Sequence, residues 1–117
     1  MAEPADPRAI ADGVARFDHG DYWHAHEAWE TAWRGSRHPH RDLLKGLIQA
    51  AAIAHHLRRG RVAAIAVLAA RARGHLHAHR DAPWPIDHVH LDRLDRWLIQ
   101  CQVHPGRTPL PPPLGRW

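Results

Sequence analysis

Apolar residues recur at every third or fourth position along most of this chain, which is the spacing of one face of an α-helix. The first run holds Ile10, Val14 and Phe17, and it follows Asp6 and Pro7, which suit the cap and the first turn of a helix. Further runs follow, separated by segments that contain glycine or proline. The predicted helices cover residues 6–18, 21–34, 41–59, 62–79 and a stretch that begins after Asp87.

The second predicted helix concentrates aromatic and charged side chains. Between Asp21 and Gly35 the sequence has three tryptophans, one tyrosine, two histidines and two glutamates. Asp21 is expected to cap this helix through its carboxylate, and Gly35 is expected to take the left-handed conformation beyond its last turn. Three aromatic residues and one histidine share a face of the helix, with one glutamate at the edge of that face and one further round. The residues on this face are Tyr22, His26, Trp29 and Trp33; Glu30 is at its edge, and Glu27 is further round the helix.

The third predicted helix is apolar nearly all the way round, so it belongs in the middle of a bundle. Its exceptions are Lys45, Gln49 and His56, which lie along one side. Gly46 stands beside this polar strip, and a glycine inside a helix costs about 1 kcal/mol relative to alanine. We therefore expect another helix or a ligand to approach closely at Gly46.

These patterns predict an all-α fold, a single compact bundle of about five helices with the third helix at its centre. The bundle domain is predicted to span residues 1–103. The two prolines of residues 81–85 interrupt it between the fourth and fifth helices, because proline cannot continue a helix. Residues 104–117 form a proline-rich tail, which either lies on the bundle through its leucines and Trp117 or is mobile.

Composition narrows the function classes. The formal charge is +4, from 16 lysines and arginines against 12 aspartates and glutamates, but the positive residues are spread along the chain. This spread disfavours nucleic-acid binding, which usually needs a concentrated basic surface. No apolar run approaches the ~20 residues of a membrane span, and the N-terminus lacks the pattern of a signal peptide. The single Cys101 excludes an intramolecular disulfide and is expected in the core, so we predict a cytoplasmic protein.

The polar residues of the second and third helices are the strongest candidates for chemistry. Buried or half-buried charges must find partners, so these residues form either a structural network or a site. In the network, Lys45 would neutralise a glutamate and Gln49 would bond to His26. In a metal-free pocket, His26 with Glu27 or Glu30 would bind or deprotonate a small polar molecule.

A metal site is the rival interpretation. The His26-Glu27-x-x-Glu30 spacing is similar to a zinc-binding HExxH motif with glutamate as the second ligand. His26 and Glu30 would then hold a divalent metal, and Glu27 would act as general base in a hydrolase. A third ligand would have to come from the third helix, where the nearest in register are Gln49, His55 and His56.

A second group of histidines lies later in the chain. Alternating histidines are about 200° apart on a helix, so they cannot converge on one ion unless the helix frays after Gly74. Surface histidines are the interpretation that we favour over an opportunistic zinc or nickel site. The group consists of His75, His77, His79, His88 and His90.

The sequence FxxGxYWxxHExWExxWR at residues 17–34, followed by KGLIQAA at residues 45–51, resembles a small all-helical bacterial and archaeal family, domain of unknown function 309. The likeness covers about residues 8–76. It implies a compact helical bundle, and the family has no established activity. On this chain the shared signature falls on Gly20, Tyr22, His26, Glu27, Glu30, Trp33, Lys45, Gly46 and Gln49.

From these observations the leading hypothesis is a small domain that binds a small-molecule ligand at the junction of the second and third helices. It would be dimeric through exposed alanine-rich helix faces. A purely structural or partner-binding domain and the metal-dependent hydrolase are the alternatives. The predicted ligand-binding residues are Tyr22, His26, Glu27, Glu30, Trp33, Lys45 and Gln49.

Overall fold

A computed structural model of the chain describes residues 6–37, 41–78 and 86–115. Within these ranges the chain is helical, without strands, and five α-helices are followed by one short 3₁₀ turn. The predicted all-α bundle of five helices is confirmed. The helices are α1 (Pro7–Asp18), α2 (Tyr22–Arg34), α3 (Arg41–Arg58), α4 (Ile65–Ala78) and α5 (His88–Val103), and the turn is Pro105–Arg107.

α3 lies at the centre of the bundle, as predicted, and packs against both α2 and α4. Its buried residues occupy most of its circumference, from Leu43 to Ala54. Gly46 marks the close approach of α4: a β-carbon there would lie 3.0 Å from the side chain of Leu76 and 3.1 Å from the carbonyl oxygen of Ala72. The approach expected at this glycine is therefore that of another helix.

The core between α1 and α2 is built around Trp29, which is completely buried. Its indole nitrogen donates to the carbonyl oxygen of Ile10 over 3.1 Å, so its one polar group is satisfied. The ring lies directly against Gly13, where a β-carbon would come within 2.1 Å of the indole nitrogen. Phe17 packs on the same ring at a centroid distance of 5.7 Å. A residue without a side chain is thus required at position 13.

The predicted start of α1 and the predicted ends of α1 and α3 are confirmed. Asp6 accepts a hydrogen bond from the backbone N–H of Arg8 at the start of α1. Gly20 follows α1 with φ +81°, and Gly60 follows α3 with φ +71°. After each glycine, the N–H of the next residue donates a hydrogen bond to the carbonyl oxygen five residues earlier, from Asp21 to Arg16 and from Arg61 to His56. Both helices therefore end in Schellman motifs.

Two predictions about the ends of α2 are wrong. Asp21 makes no capping hydrogen bond to the backbone, because its carboxylate oxygens instead accept from Nδ1 of His24 at 2.8 and 2.9 Å. Gly35 has φ −81°, in the right-handed region, and its N–H bonds to the carbonyl oxygen of Thr31 at 3.1 Å. The chain leaves α2 without a left-handed residue, so nothing in its backbone there requires glycine.

α4 begins three residues later than predicted, at Ile65 instead of Val62. The residue before it, Ala64, has φ +66°, which is incompatible with a continuing right-handed helix. The N–H of Ile65 bonds to the carbonyl oxygen of Val62, closing a turn that connects α3 to α4. The predicted break at residues 81–85 lies outside the described residues.

The C-terminal arm, residues 104–115, lies on the bundle. Leu114 is buried, and its N–H and that of Gly115 donate to the two carboxylate oxygens of Asp18 at 2.7 and 2.8 Å. The indole nitrogen of Trp97 donates to the carbonyl oxygen of Pro109 at 2.8 Å. The sequence left open whether this segment packs on the bundle or is mobile, and in the structure it packs on the helices. Trp117 lies outside the described residues.

Cys101 is completely buried in α5, as predicted. Burial raises the pKa of its thiol to about 12, so the nucleophilic thiolate is scarce at neutral pH. Among the described residues, none of the helices has the length and apolar character needed to cross a membrane.

Asp95 joins α5 to α4 through contacts with Arg73 and His77. Arg73 donates to its carboxylate at 2.8 Å, and Nε2 of His77 lies 3.1 Å from the same oxygen. Burial alone would raise the pKa of Asp95, but the hydrogen bonds from Arg73 and His77 outweigh it and hold the pKa below its usual value. The carboxylate therefore stabilises the fold in its charged form.

Replacing Asp95 with asparagine is expected to lower the free energy of unfolding by about 2 kcal/mol at pH 7, because a charged acceptor of two hydrogen bonds is lost. The pKa of Asp95 in the folded protein lies below its ordinary value of 3.8. The stability that the charged carboxylate contributes is therefore complete above pH 3.8 and is lost as the pH falls through the pKa of the folded protein. Urea unfolding of both proteins between pH 7 and pH 2.5 measures the difference. A difference that stays constant down to pH 2.5 would show that the charge of Asp95 contributes nothing.

Candidate functional site on helices α2 and α3

His26 lies on the side of α2 that borders solvent, and its side chain is 20% exposed. Its ring stacks on the ring of Trp23, with centroids 5.3 Å apart and planes 8° from parallel. Its Nε2 lies 3.6 Å from a carboxylate oxygen of Glu30, one turn further along the helix. Both pairings follow from helical spacing, because residues three and four apart share a face. The two residues proposed from the sequence as metal ligands, His26 and Glu30, thus lie side by side on α2.

A cavity of about 350 Å³ opens on this face of α2. This volume is at the lower end of the range for sites that hold small molecules. Three predicted site residues, His26, Glu27 and Glu30, line it. The other lining residues, which the sequence analysis did not select, are Trp23, Thr31 and Arg34.

The two glutamates of the cavity differ in their surroundings. Glu30 is one-third exposed and forms an ion pair with Arg34, one turn away. Glu27 is 55% exposed, and Nε2 of His24 lies 3.9 Å from its carboxylate, which is beyond hydrogen-bond distance. Arg34 pairs with Glu30, so Glu27 is the carboxylate of the cavity that has no arginine or lysine partner among the described residues.

Trp23 forms the aromatic wall of the cavity and remains 50% exposed. On its other side it contacts His55 of α3, with ring centroids 5.3 Å apart. Burial and then the positive charge of Arg59 lower the pKa of His55 below its ordinary value. Trp23 could have been found from its position three residues before His26, but it lies off the face that the sequence analysis selected.

Trp33 and Lys45 form a separate cluster further along the α2–α3 contact. The guanidinium of Arg41 lies 4.1 Å from the centroid of the Trp33 ring, and the ammonium of Lys45 lies 5.0 Å from it. Both are cation–π contacts. Lys45 makes no ion pair with a glutamate in the described part of the chain, so the partner expected for it in a structural network is replaced by an aromatic ring.

Tyr22 points away from the cavity, into the interior beside α1. It is buried against Phe17, with ring centroids 5.1 Å apart, and the guanidinium of Arg58 lies 4.6 Å above its ring. Burial raises the pKa of its hydroxyl above the ordinary value. Arg58 also donates to the carbonyl oxygen of Gly20, so it ties the end of α3 to the turn between α1 and α2.

Several buried polar atoms on α2 and α3 have no hydrogen-bond partner within the described residues. Gln49 is one of them: its amide oxygen is unpaired, and no hydrogen bond joins it to His26 in the described chain. Buried polar groups in native proteins nearly always have partners, so these atoms are the places where solvent or a ligand is needed. They are Nδ1 of His26, Nε1 of Trp33, Nε of Arg41, Oε1 of Gln49 and Nδ1 of His56.

The described residues do not assemble a metal site. No group of three or more histidine, cysteine, aspartate or glutamate side chains is placed to share an ion in ranges 6–37, 41–78 and 86–115. His26 and Glu30 supply two of the ligands that the hydrolase hypothesis requires, and no third of these types joins them there. Catalytic zinc sites use three protein ligands and a water molecule.

The histidines of α4 and α5 do not converge on one position, because those with acidic partners contact different carboxylates. α4 continues without fraying to Ala78, so His75 and His77 point in different directions. His77 pairs with Asp95, and Nδ1 of His90 lies 2.6 Å from the carboxylate of Asp87 at the start of α5. His79 lies outside the described residues.

Comparison with known proteins identifies the family. The sequence profile of the family described as "Domain of unknown function (DUF309)" matches residues 10–68, which is half of the chain. The chain belongs to this family. The match confirms the resemblance seen in the sequence, and it contains every candidate ligand-binding residue of the DUF309 domain from Tyr22 to Gln49. No curated protein and no solved structure matched the chain.

The matched range includes α1 from Ile10 onward, all of α2 and α3, and the beginning of α4. It therefore contains the central helix, the Gly13–Trp29 contact and the α2 cavity. α5 and the C-terminal arm complete the fold of this DUF309 protein from outside that range.

Proposed function

We propose that this DUF309 protein is a small-molecule-binding domain whose ligand occupies the α2 cavity. His26, Glu27 and Glu30 would contact the ligand directly. The other four predicted ligand-binding residues would hold α2 on the bundle from outside the cavity. Those supporting residues are Tyr22, Trp33, Lys45 and Gln49.

The single observation that carries this proposal is the environment of His26. One ring nitrogen lies beside Glu30 at the cavity, the other is buried without a partner in the described chain, and the ring face rests on a half-exposed tryptophan. A histidine with only a structural role is expected to have both nitrogens satisfied by the protein. His26 presents Nε2 together with Glu30 at the cavity, where a ligand would contact both.

The lining indicates the chemistry of the ligand. Glu27 offers an exposed carboxylate without a hydrogen-bonded cation, Thr31 is exposed at the rim, and Trp23 offers an aromatic edge. Carboxylates bind hydrogen-bond donors and cations, and the edge of an indole ring offers apolar contact. The ligand would be a small polar molecule with a positively charged or donor-rich group, such as an amine, a guanidine or a polyol.

Three further predictions from the sequence belong to this proposal. A cytoplasmic location is supported by the single, buried cysteine, which suits a reducing compartment. A homodimer through the alanine-rich helix faces is supported by two exposed apolar side chains, Val67 on α4 and Val62 just before it. Nucleic-acid binding is disfavoured by the dispersed positive charge of the chain.

The proposal is tested by thermal-shift screening of a panel of small polar amines, guanidines and polyols. A ligand at ten times its Kd adds about 1.4 kcal/mol of stability, which raises the Tm of a domain of this size by roughly 5 °C. In Glu27→Gln the loss of a charged contact is expected to raise the Kd at least about tenfold and to reduce the shift to about 1–2 °C. Screening with and without EDTA separates this binding from metal-dependent chemistry.

Asp12→Asn is the matched control, because it also removes one exposed carboxylate, on α1 and away from the cavity. Its ligand response should equal that of the wild type. Both variants should melt within about 2 °C of the wild type without ligand, since exposed charges contribute little to stability. A Glu27→Gln protein that melts much earlier but responds normally to ligands would favour the structural interpretation. A panel that shifts none of the proteins would contradict ligand binding of this class.

A further inference from the structure

A second cavity, of about 410 Å³, lies between α5 and the C-terminal arm. Its apolar side includes Trp97, Leu110 and Pro112. Its polar side includes Arg93 and Arg96. It shares no lining residue with the α2 cavity, and it lies outside the residues matched by the DUF309 family.

The arm that forms one wall of this cavity is held in place from two directions. The hydrogen bond from Trp97 to the carbonyl oxygen of Pro109 fixes the arm beside the cavity itself. The two backbone bonds to Asp18 fix the arm at Leu114 and Gly115. Prolines at positions 109 and 111–113 restrict the backbone between these anchors. The wall is therefore preformed and does not need to be ordered by a ligand.

The charges of this cavity are all of one sign. Arg93, Arg96 and Gln100 share a face of α5 at intervals of three and four residues. Neither arginine has an ion-pair partner among the described residues, and no carboxylate lines the cavity. Two acids adjoin these arginines in sequence, Asp92 and Asp95, and neither lines the cavity; Asp95 is held by Arg73 and His77.

We infer that this cavity binds a small amphipathic organic anion, a carboxylate or sulfonate attached to an aromatic or aliphatic group. The hydrocarbon part would pack on Trp97, Leu110 and the prolines of the arm. The anionic group would be held by Arg93 and Arg96, whose planar guanidinium groups match the geometry of a carboxylate or sulfonate. The exposed Leu110, 46% accessible to solvent, would be covered by the bound molecule.

The test uses 8-anilinonaphthalene-1-sulfonate as the anionic probe and N-phenyl-1-naphthylamine as its neutral counterpart. Fluorescence titration of the full chain gives the Kd of each, and ¹H–¹⁵N spectra locate the binding. The anion is expected to bind more tightly than the neutral compound, with the largest spectral changes in α5 and the arm. Each of Arg93→Gln and Arg96→Gln is expected to weaken binding of the anion about tenfold, with little change for the neutral compound.

Arg71→Gln is the control for charge, because Arg71 is exposed on α4 and does not line the cavity. It should leave the Kd of the anion unchanged. The inference is overturned if the anion binds equally well to the two α5 variants, if the spectral changes fall on α2, or if no binding occurs up to about 1 mM. Equal affinity of the wild type for the two probes would also overturn it, because the arginines would then contribute nothing. The three arginines are exposed, so all variants are expected to fold.

Discussion

Gly13→Ala is expected to lower the free energy of unfolding by about 3 kcal/mol, a large fraction of the stability of a domain of this size. The new methyl group would fall within 2.1 Å of the indole nitrogen of Trp29, which is completely buried and cannot move aside. Displacing the ring would also break its hydrogen bond to Ile10, and an unpaired buried donor costs about 1–3 kcal/mol. Urea unfolding followed by helical circular dichroism measures the loss.

Gly74→Ala is the matched control, since Gly74 is also inside a helix but is exposed, and no atom lies within 4 Å of its added β-carbon. There the only change is in helix propensity, so alanine should stabilise the protein by about 0.5–1 kcal/mol. If both variants gained stability to the same extent, the close contact between α1 and Trp29 would be wrong.

Asp18→Asn is expected to lower the free energy of unfolding by about 2 kcal/mol and to release the end of the C-terminal arm. The carboxylate of Asp18 accepts from the N–H groups of both Leu114 and Gly115, and asparagine can replace only one of these acceptors. The side-chain NH₂ group of the asparagine would then face the remaining backbone N–H, so two donors would oppose each other. Urea unfolding gives the stability, and the backbone amide signals of Leu114 and Gly115 report the position of the arm.

For this prediction Asp12→Asn is again a suitable control, because it changes the same residue type on the same helix, where the carboxylate has an exposed partner in Arg16. Its cost should stay below about 1 kcal/mol. Unchanged stability and unchanged arm signals in Asp18→Asn would contradict the anchoring of the arm by α1.

The parts of the fold that could be predicted are those set by local chemistry. Pro7 and the cap at Asp6 define the start of α1 independently of the rest of the chain. Gly20 and Gly60 end their helices because glycine adopts the left-handed conformation without the strain that a side chain brings. The errors occurred where two local solutions compete. Asp21 could bond to its own backbone or to His24, and the sequence does not show which is preferred.

Which residues meet between helices could mostly not be predicted, because these contacts depend on how each helix is rotated about its axis; Gly46 indicated a close approach but not its partner. Gly13 and Trp29 are sixteen positions apart, and their contact requires α1 and α2 to pack in one particular orientation. The same limit applies to the site. The His26–Glu30 pair follows from spacing within one helix, whereas the placement of Lys45 over Trp33 depends on the register between α2 and α3.

The measurement that tests the central claim most directly is a ¹H–¹⁵N titration of the protein with the compound that gives the largest thermal shift. We expect the indole signal of Trp23 and the backbone amides of Glu27 and Thr31 to change most, and these changes to require about tenfold more compound in Glu27→Gln. The largest changes elsewhere in the protein, or the same affinity in Glu27→Gln, would contradict the assignment of the α2 cavity as the ligand site.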